Sequence, residues 1–289
     1  MSHSFMGMPK VQTFQEFGGY FHNYPTPSAP DLPLEIWYPT MIKALYILAR
    51  TLNIEKTDKT AIAMKTFIQN LFNLIPNTAF RTYFNDFLRM KPYVVTAIKS
   101  TEPNIVNIRP TFEREVQDMQ SIKQFHDKSF TNTDGQEMLF WVYLLDLFVI
   151  SIINSSQQRG NNPFTTINKV KPPTLNEIRQ KYHPQQTITK PMWGNALWFL
   201  IHLTALYAPQ PLEQSFESYK QMLNALRFIL PCSKCRAHLT QNLHYIDFNN
   251  CAQTNEDLFK CSWKLHNIVN KSENKPLMSL QDAFSMYTF

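Results

Sequence analysis

An all-α fold is what the sequence predicts, and two observations carry that expectation. The 289 residues include only six glycines, so tight turns are scarce. Apolar residues recur three and four positions apart in long runs, the period of a helix that buries one face. Apolar residues make up 44% of the chain, enough to fill a core, and the length admits one or two domains.

In chain order, residues 1–33 carry Gly18-Gly19-Tyr20 and Pro25-Thr26-Pro27-Ser28-Ala29-Pro30 and read as an arm with little regular structure. Met1–Lys10 has no apolar stretch of signal-peptide length, which points to an intracellular, non-secreted protein. Helical patterns follow over Leu34–Leu52, over Thr60–Leu74, and from after Pro76 to about Met90. A more polar helix covers Thr111–Lys128. The apolar run Met138–Ile153 is shorter than the ~20 residues a bilayer needs, and Asp146 interrupts it, so it reads as a buried core helix rather than a membrane span. A helical domain over 34–154 results. Residues 155–190 are polar, hold Pro163, Pro172, Pro173 and Pro184, and read as a linker with one short helix at Leu175–Tyr182.

The domain at 191–289 is again helical. Trp193–Tyr207 forms one helix. In Ser215–Leu230, Phe216, Tyr219, Met222, Leu223, Leu226, Ile229 and Leu230 fall on one face. Pro231 restarts the chain as Cys232–Leu243, in the first turn of a helix, where a missing N–H costs nothing. Glu256–Asn270 and Ser279–Tyr287 follow, making a four-helix bundle plus a short fifth helix.

The two halves resemble each other. Ile36-Trp37 aligns with Met192-Trp193, Leu74-Ile75-Pro76-Asn77-Thr78-Ala79-Phe80-Arg81 with Ile229-Leu230-Pro231-Cys232-Ser233-Lys234-Cys235-Arg236, and Thr131-Asn132…Leu139-Phe140 with Thr254-Asn255…Leu258-Phe259. Asn77 and Phe80 then stand where the cysteines stand, and Tyr46 stands where His202 stands. The N-terminal half reads as a degenerate, cofactor-free bundle packed on the C-terminal one, an intrachain pseudo-dimer.

Cys232-Ser233-Lys234-Cys235 is the only C-x-x-C. Two thiols so spaced close a small-loop disulfide, and a helix start with Lys234 and Arg236 nearby favours thiolates. Four cysteines are too few for a secreted disulfide scaffold of this size. An alternative is a metal-stabilised binding or scaffold module, with zinc on Cys232, Cys235, Cys251 and Cys261, but a second close ligand pair is absent. A thioredoxin-like reading fails because a helical pattern, not a strand, precedes the motif. The net charge of +6 comes without a run of five basic residues, so nucleic acid is not an expected partner.

Two runs frame the dithiol. Trp198 and His202 are four apart on one helix face. Trp263, His266, Asn267 and Asn270 share a side of another helix, followed by Lys271 and Lys275. Aromatic faces, amide and imidazole groups and two ammonium groups suit a nucleotide with a pyrophosphate. The set W-x-x-x-H, P-C-x-x-C and H-N-x-V-N-(x)4-K-P, all between Trp193 and Pro276, resembles the Erv/ALR-type FAD-linked sulfhydryl oxidases. With the large N-terminal half, the likeness is to the viral sulfhydryl oxidases of baculoviruses and nudiviruses.

That resemblance implies FAD in a helical bundle, in keeping with the lack of a G-x-G-x-x-G. It places Trp198, His202 and Tyr207 at the ring systems, and Trp263, His266, Asn267, Val269, Asn270, Lys271 and Lys275 around the rest of FAD. Asn195 stands where the family often has Arg after its first glycine, and is taken as a further cofactor residue. Cys235 would face the flavin and Cys232 would meet substrate. The implied activity is thiol oxidation, with electrons passing from client thiols through the dithiol and flavin to oxygen, giving hydrogen peroxide. The partners expected are thiol-bearing client proteins and oxygen, with a second copy of the chain as a further candidate, in the nucleus or cytoplasm of an infected cell and in the virion. Cys261 replaces a family tryptophan and Asn274 a family glycine. Cys251 and Cys261 either form a structural disulfide or stay reduced, with Cys261 packing as a small hydrophobe on its helix.

Overall fold

The computed structural model describes residues 31–54, 57–89, 135–158 and 170–289. Residues 1–30 of the arm expected at 1–33, the helix expected at Thr111–Lys128 and the Thr131-Asn132 stretch lie outside the described residues. Among the described residues the structure is helical, with no strand: α1 (Leu34–Ile54), α2 (Asp58–Leu74), α3 (Thr78–Arg89), α4 (Gly135–Gln158), α5 (Leu175–Lys181), α6 (Lys190–Leu206), α7 (Leu212–Ile229), α8 (Ser233–Asn242), 3-10 turns at Leu243–Tyr245 and Phe248–Cys251, α9 (Asn255–Ser272) and α10 (Leu280–Tyr287).

The boundaries have local causes. Thr57 caps α2, its hydroxyl accepting from the Thr60 amide while the Thr60 hydroxyl accepts in return. Thr174 and Glu177 make the same reciprocal box at α5. Thr254 caps α9 through the Asp257 amide and Ser279 caps α10 through the Asp282 amide. Pro191 lies in the first turn of α6, where its missing N–H is harmless. Pro231 is not a first-turn residue. Cys232 is extended and caps α8 with its own sulfur, which pushes the proline one position ahead of the cap.

Helices α6 and α9 pack together, α8 lies on α7 and α9, and α10 closes on α6 and α9, giving four helices and a short fifth. In the N-terminal part α1 packs on α4, whose Met138–Ile150 stretch is buried throughout. Among the described residues the broadest helix contact joins the two parts, with α2 lying along α7, while α1 lies along α6. Asn70 donates to Gln221 at 3.3 Å and Asn73 to Ser218 at 3.3 Å across it. One continuous apolar core runs through both. No helix among the described residues is long and apolar enough to cross a membrane.

The stretch expected as a linker does more than connect. Helix α4 runs on to Gln158, and α5 ends at Tyr182, which is buried and stacked on Tyr46 at 4.9 Å. Arg50, itself buried, donates to the carbonyls of His183 at 3.1 Å and Pro184 at 2.7 Å, and to that of Gln186. A guanidinium offers several donors in a fixed fork, so one side chain holds the whole strap against α1.

Candidate active site

The dithiol is oxidised: Cys232 and Cys235 are disulfide-bonded, with Cα atoms 5.1 Å apart. The Cys235 amide donates to the Cys232 sulfur at 3.1 Å. Arg236 donates to the Leu230 carbonyl at 2.6 Å and fixes the turn entering α8. When the bond opens, a Cys232 thiolate sits at a helix start with an N–H already aimed at it, a setting that stabilises negative charge on the sulfur. Both cysteines are half-buried, against the core but within reach of solvent.

Cys251 and Cys261 are also disulfide-bonded, tying the 3-10 turn at Phe248–Cys251 to α9. Of the two alternatives the sequence left open, this is the structural disulfide; the other, with Cys261 packing as a reduced small hydrophobe, does not hold. A bridge ten residues apart in sequence contributes about 3 kcal/mol by restricting the unfolded chain. With all four sulfurs in disulfides, they are not available as zinc thiolates in this state. Among the described residues no group of three or more His, Cys, Asp or Glu is placed to hold a metal.

The second cluster lies between α6 and α9. Trp198 and His266 stack face to face, with centroids 4.0 Å apart and planes 7° from parallel. His202 Nε2 meets His266 Nδ1 at 2.9 Å, and His202 Nδ1 meets the Ser262 hydroxyl at 2.7 Å. The four residues come from two packed helices, Trp198 and His202 one turn apart on α6, Ser262 and His266 one turn apart on α9. Burial holds His202 well below the usual imidazole range, and its neighbour His266 pushes it further. His266 is lowered to about 4, first by burial and then by the charge of Lys275. Both rings are therefore neutral at pH 7.

Trp263 and Asn267 line the return of the chain. The Trp263 indole donates to the Met278 carbonyl at 2.8 Å, and Asn267 both donates to that carbonyl at 2.8 Å and accepts from the Met278 amide at 3.0 Å. Asn270 lies in the last turn of α9, and its carbonyl accepts from the Lys275 amide at 2.9 Å. Asn274 takes the left-handed conformation there, φ 53°. That explains the family glycine at this position, since Asn is the side chain that best tolerates it. Lys271 and Lys275 are exposed, and Val269 and Asn270 are half-buried. Glu273 pairs with Lys190 and sits 4.0 Å from Lys275, with its carboxyl held low first by the Lys190 hydrogen bond and also by the Lys275 and His238 charges. One carboxylate thus faces several basic groups, a setting that favours a further anion.

Two expected residues stand apart. The Tyr207 hydroxyl donates to the Tyr287 carbonyl at 2.9 Å and braces α10, and only the Tyr287 ring, 5.1 Å from His202, links it to the cluster. Asn195 is exposed at the start of α6, beside Gly194, where an added Cβ would meet open space. Ser262 was missed from sequence. It lies four residues before His266, hence on the same face, and that spacing was the available signal.

Residues 195–287 match the Erv1 / Alr family. An FAD-linked sulfhydryl oxidase of African swine fever virus (isolate Pig/Kenya/KEN-50/1950) is 31% identical over 99 residues, which cover 33% of this chain and 79% of that one. The chain belongs to the Erv1/Alr family. Relatives from Invertebrate iridescent virus 3 and Acanthamoeba polyphaga mimivirus are 26% and 31% identical over 35% and 32% of this chain. The chain spans about two thirds of those two relatives, 69% and 65% of their lengths. No solved structure matches. The Erv1/Alr match covers α6 to α10, the part that carries both disulfides and the histidine cluster.

Proposed function

We propose that this chain is an FAD-dependent thiol oxidase that makes disulfides in client proteins. The observation that carries the reading is the Cys232–Cys235 disulfide at the start of α8, on a helix packed against the α9 that holds His266. The residues fit FAD: the parallel Trp198/His266 pair offers a surface for a planar ring, and the basic groups around Glu273 suit a diphosphate. Trp198, His202, Trp263, His266, Asn267, Val269, Asn270, Lys271 and Lys275 would hold it, with Tyr207 acting through Tyr287 and Asn195 at the rim. When bound, FAD supplies a two-electron acceptor that oxygen can reoxidise, giving hydrogen peroxide.

The chain's own part is thiol exchange. A client thiolate attacks the Cys232 sulfur and the Cys232–Cys235 bond breaks, leaving the electron pair on Cys235 as thiolate. A second client thiol, losing its proton, attacks the client sulfur of the mixed disulfide and releases Cys232 as thiolate. Two client thiols have become one disulfide, and two electrons now rest on the enzyme pair. The Cys235 amide, aimed at Cys232 sulfur, makes Cys232 the better leaving group in the second step.

The same reading assigns 191–289 as the oxidase domain and 34–154 as a degenerate, cofactor-free partner that completes an intrachain pseudo-dimer, as in the baculovirus- and nudivirus-type oxidases. It is supported by the contacts of α2 with α7 and α1 with α6, pairs that the internal repeat makes equivalent. Clients in a virion or an infected cell belong to the proposal, as does oxygen as acceptor. The test is the visible absorption spectrum of the purified protein. A flavin spectrum at a single flavin per chain is expected; a colourless protein that carries zinc would overturn the reading.

A further inference from the structure

We infer that Ser262 is a positioning residue of the histidine cluster: it sets the tautomer of His202 and through it that of His266, so that His266 meets its ligand with a bare Nε2. The identity of that ligand as FAD rests on the function proposed above; the tautomers do not.

The argument assigns protons from the hydrogen-bond pattern. Ser262 Oγ lies 2.6 Å from the Phe259 carbonyl oxygen. The carbonyl has no proton to give, so the single hydroxyl proton of Ser262 occupies that contact. Ser262 Oγ therefore faces His202 Nδ1, 2.7 Å away, with a lone pair, and Nδ1 carries the hydrogen. His202 is buried and neutral, so its Nε2 is bare. His266 Nδ1, 2.9 Å from it, must donate. His266 is neutral as well, and its one proton is thereby used. What remains is Nε2 as an acceptor.

The surroundings leave Ser262 in control. Beside His266, the rings around His202 are Trp198 at 5.7 Å, Phe259 at 5.5 Å and Tyr287 at 5.1 Å, none of which brings a charge. The Tyr219 hydroxyl is buried beside Ser262 and makes no full hydrogen bond of its own. Lys275 is the charge that acts on His266; Glu273 lies 4.0 Å from that lysine, and Lys190 and His238 act on Glu273 in turn. An acceptor at His266 selects a ligand N–H or O–H, such as a nucleotide amino or ribose hydroxyl group. Phosphate oxygens are left to the lysines.

The test is 15N NMR of the imidazole nitrogens of the full chain at pH 7, with FAD affinity measured alongside. Both histidines are expected as Nδ1–H tautomers in the wild type. In Ser262→Ala, His202 loses its fixed tautomer and FAD binding weakens about tenfold. Ser262→Thr, which keeps the hydroxyl, restores both. Nε2–H on either histidine of the wild type would overturn the inference, as would unchanged tautomers in Ser262→Ala. Tautomers as inferred in a protein that takes up no flavin would uphold the role of Ser262 and sink the FAD reading instead.

Discussion

The two halves build the same turn from different chemistry. In the C-terminal half the Cys232 sulfur accepts from the Cys235 amide at 3.1 Å, and Arg236 donates to the Leu230 carbonyl. In the N-terminal half the Asn77 side chain accepts from the Phe80 amide at 2.8 Å, and Arg81 donates to the Ile75 carbonyl at 2.5 Å. These are the residue pairs that the internal repeat aligns. The helix clusters differ in the same spirit. His202 joins His266 and Ser262, whereas Tyr46 and Tyr38 both donate to the Asp146 carboxylate, at 2.9 and 2.5 Å, and Tyr182 stacks on Tyr46. One half keeps titratable rings and a reducible bond. The other replaces them with a satisfied network and a strap of its own chain. A helix cap needs only an acceptor, which Asn and Cys both supply; redox chemistry needs the sulfur.

The sharpest way to break this contrast is to change the same position in each half. Cys235→Ala is expected to abolish thiol oxidation with the flavin spectrum retained. Phe80→Ala, at the aligned site, removes a buried ring 4.8 Å from Trp37 and is expected to cost about 3–5 kcal/mol in denaturant unfolding. Its turnover per bound flavin should be unchanged. Turnover that survives in Cys235→Ala would remove the role assigned to that cysteine.

Next comes the centre of the N-terminal network. Asp146→Ala takes the carboxylate acceptor from two buried tyrosine hydroxyls, at about 1–3 kcal/mol each, and leaves Tyr38 only the backbone carbonyl of residue 146 at 3.3 Å. Unfolding free energy should fall by about 4 kcal/mol, with the flavin-to-chain ratio unaltered. A gain of a second flavin on removing Asp146 would mean that the N-terminal half is a blocked site rather than a lost one.

How far the sequence reached follows the same division. Helix positions were legible because the apolar period is local, and the turn shared by the two halves was legible as a repeat, although its cap is Cys232 and Pro231 is not the first-turn residue expected. The site motifs were legible as helix faces. What connects distant segments was not. Arg50 holds carbonyls more than 130 positions away, as its bond to His183 spans 133. A carbonyl carries no side-chain signature, so 155–190 read as a linker with one short helix, and only the helix at Leu175–Lys181 was legible there. Cys251 and Cys261 lay close in sequence, yet pairing depends on how the 3-10 turn folds onto α9. Ser262 was hidden because a serine in a helix is ordinarily a solvent-facing or back-bonding residue, and only the third dimension puts His202 against it.

Acid should separate the halves more gently. His266 has its folded value at about 4, below the ordinary 6.5. The unfolded chain therefore binds more protons between those values, and stability is full above about 6.5 and falls as pH drops toward about 4. His266 alone accounts for roughly 3 kcal/mol, with His202 acting in the same direction. Hydrogen exchange at pH 5 against pH 7 should show α6 and α9 losing protection before α1 and α4. Equal losses in all four would break the contrast.

The smallest effect expected is at the strap. Arg50→Met removes the donors to the His183, Pro184 and Gln186 carbonyls while keeping most of the apolar stem. These carbonyls lie near the surface, where water can replace the lost donors, so the cost is about 2 kcal/mol rather than the full penalty of three orphaned groups. Tyr182 would still have its stacking on Tyr46, so the strap should loosen without leaving. Trypsin should then cut faster after Lys181, the exposed residue beside the strap, with the flavin content of the protein unchanged. Unchanged cleavage would mean that Tyr182 alone holds the strap, and that the guanidinium is a bystander.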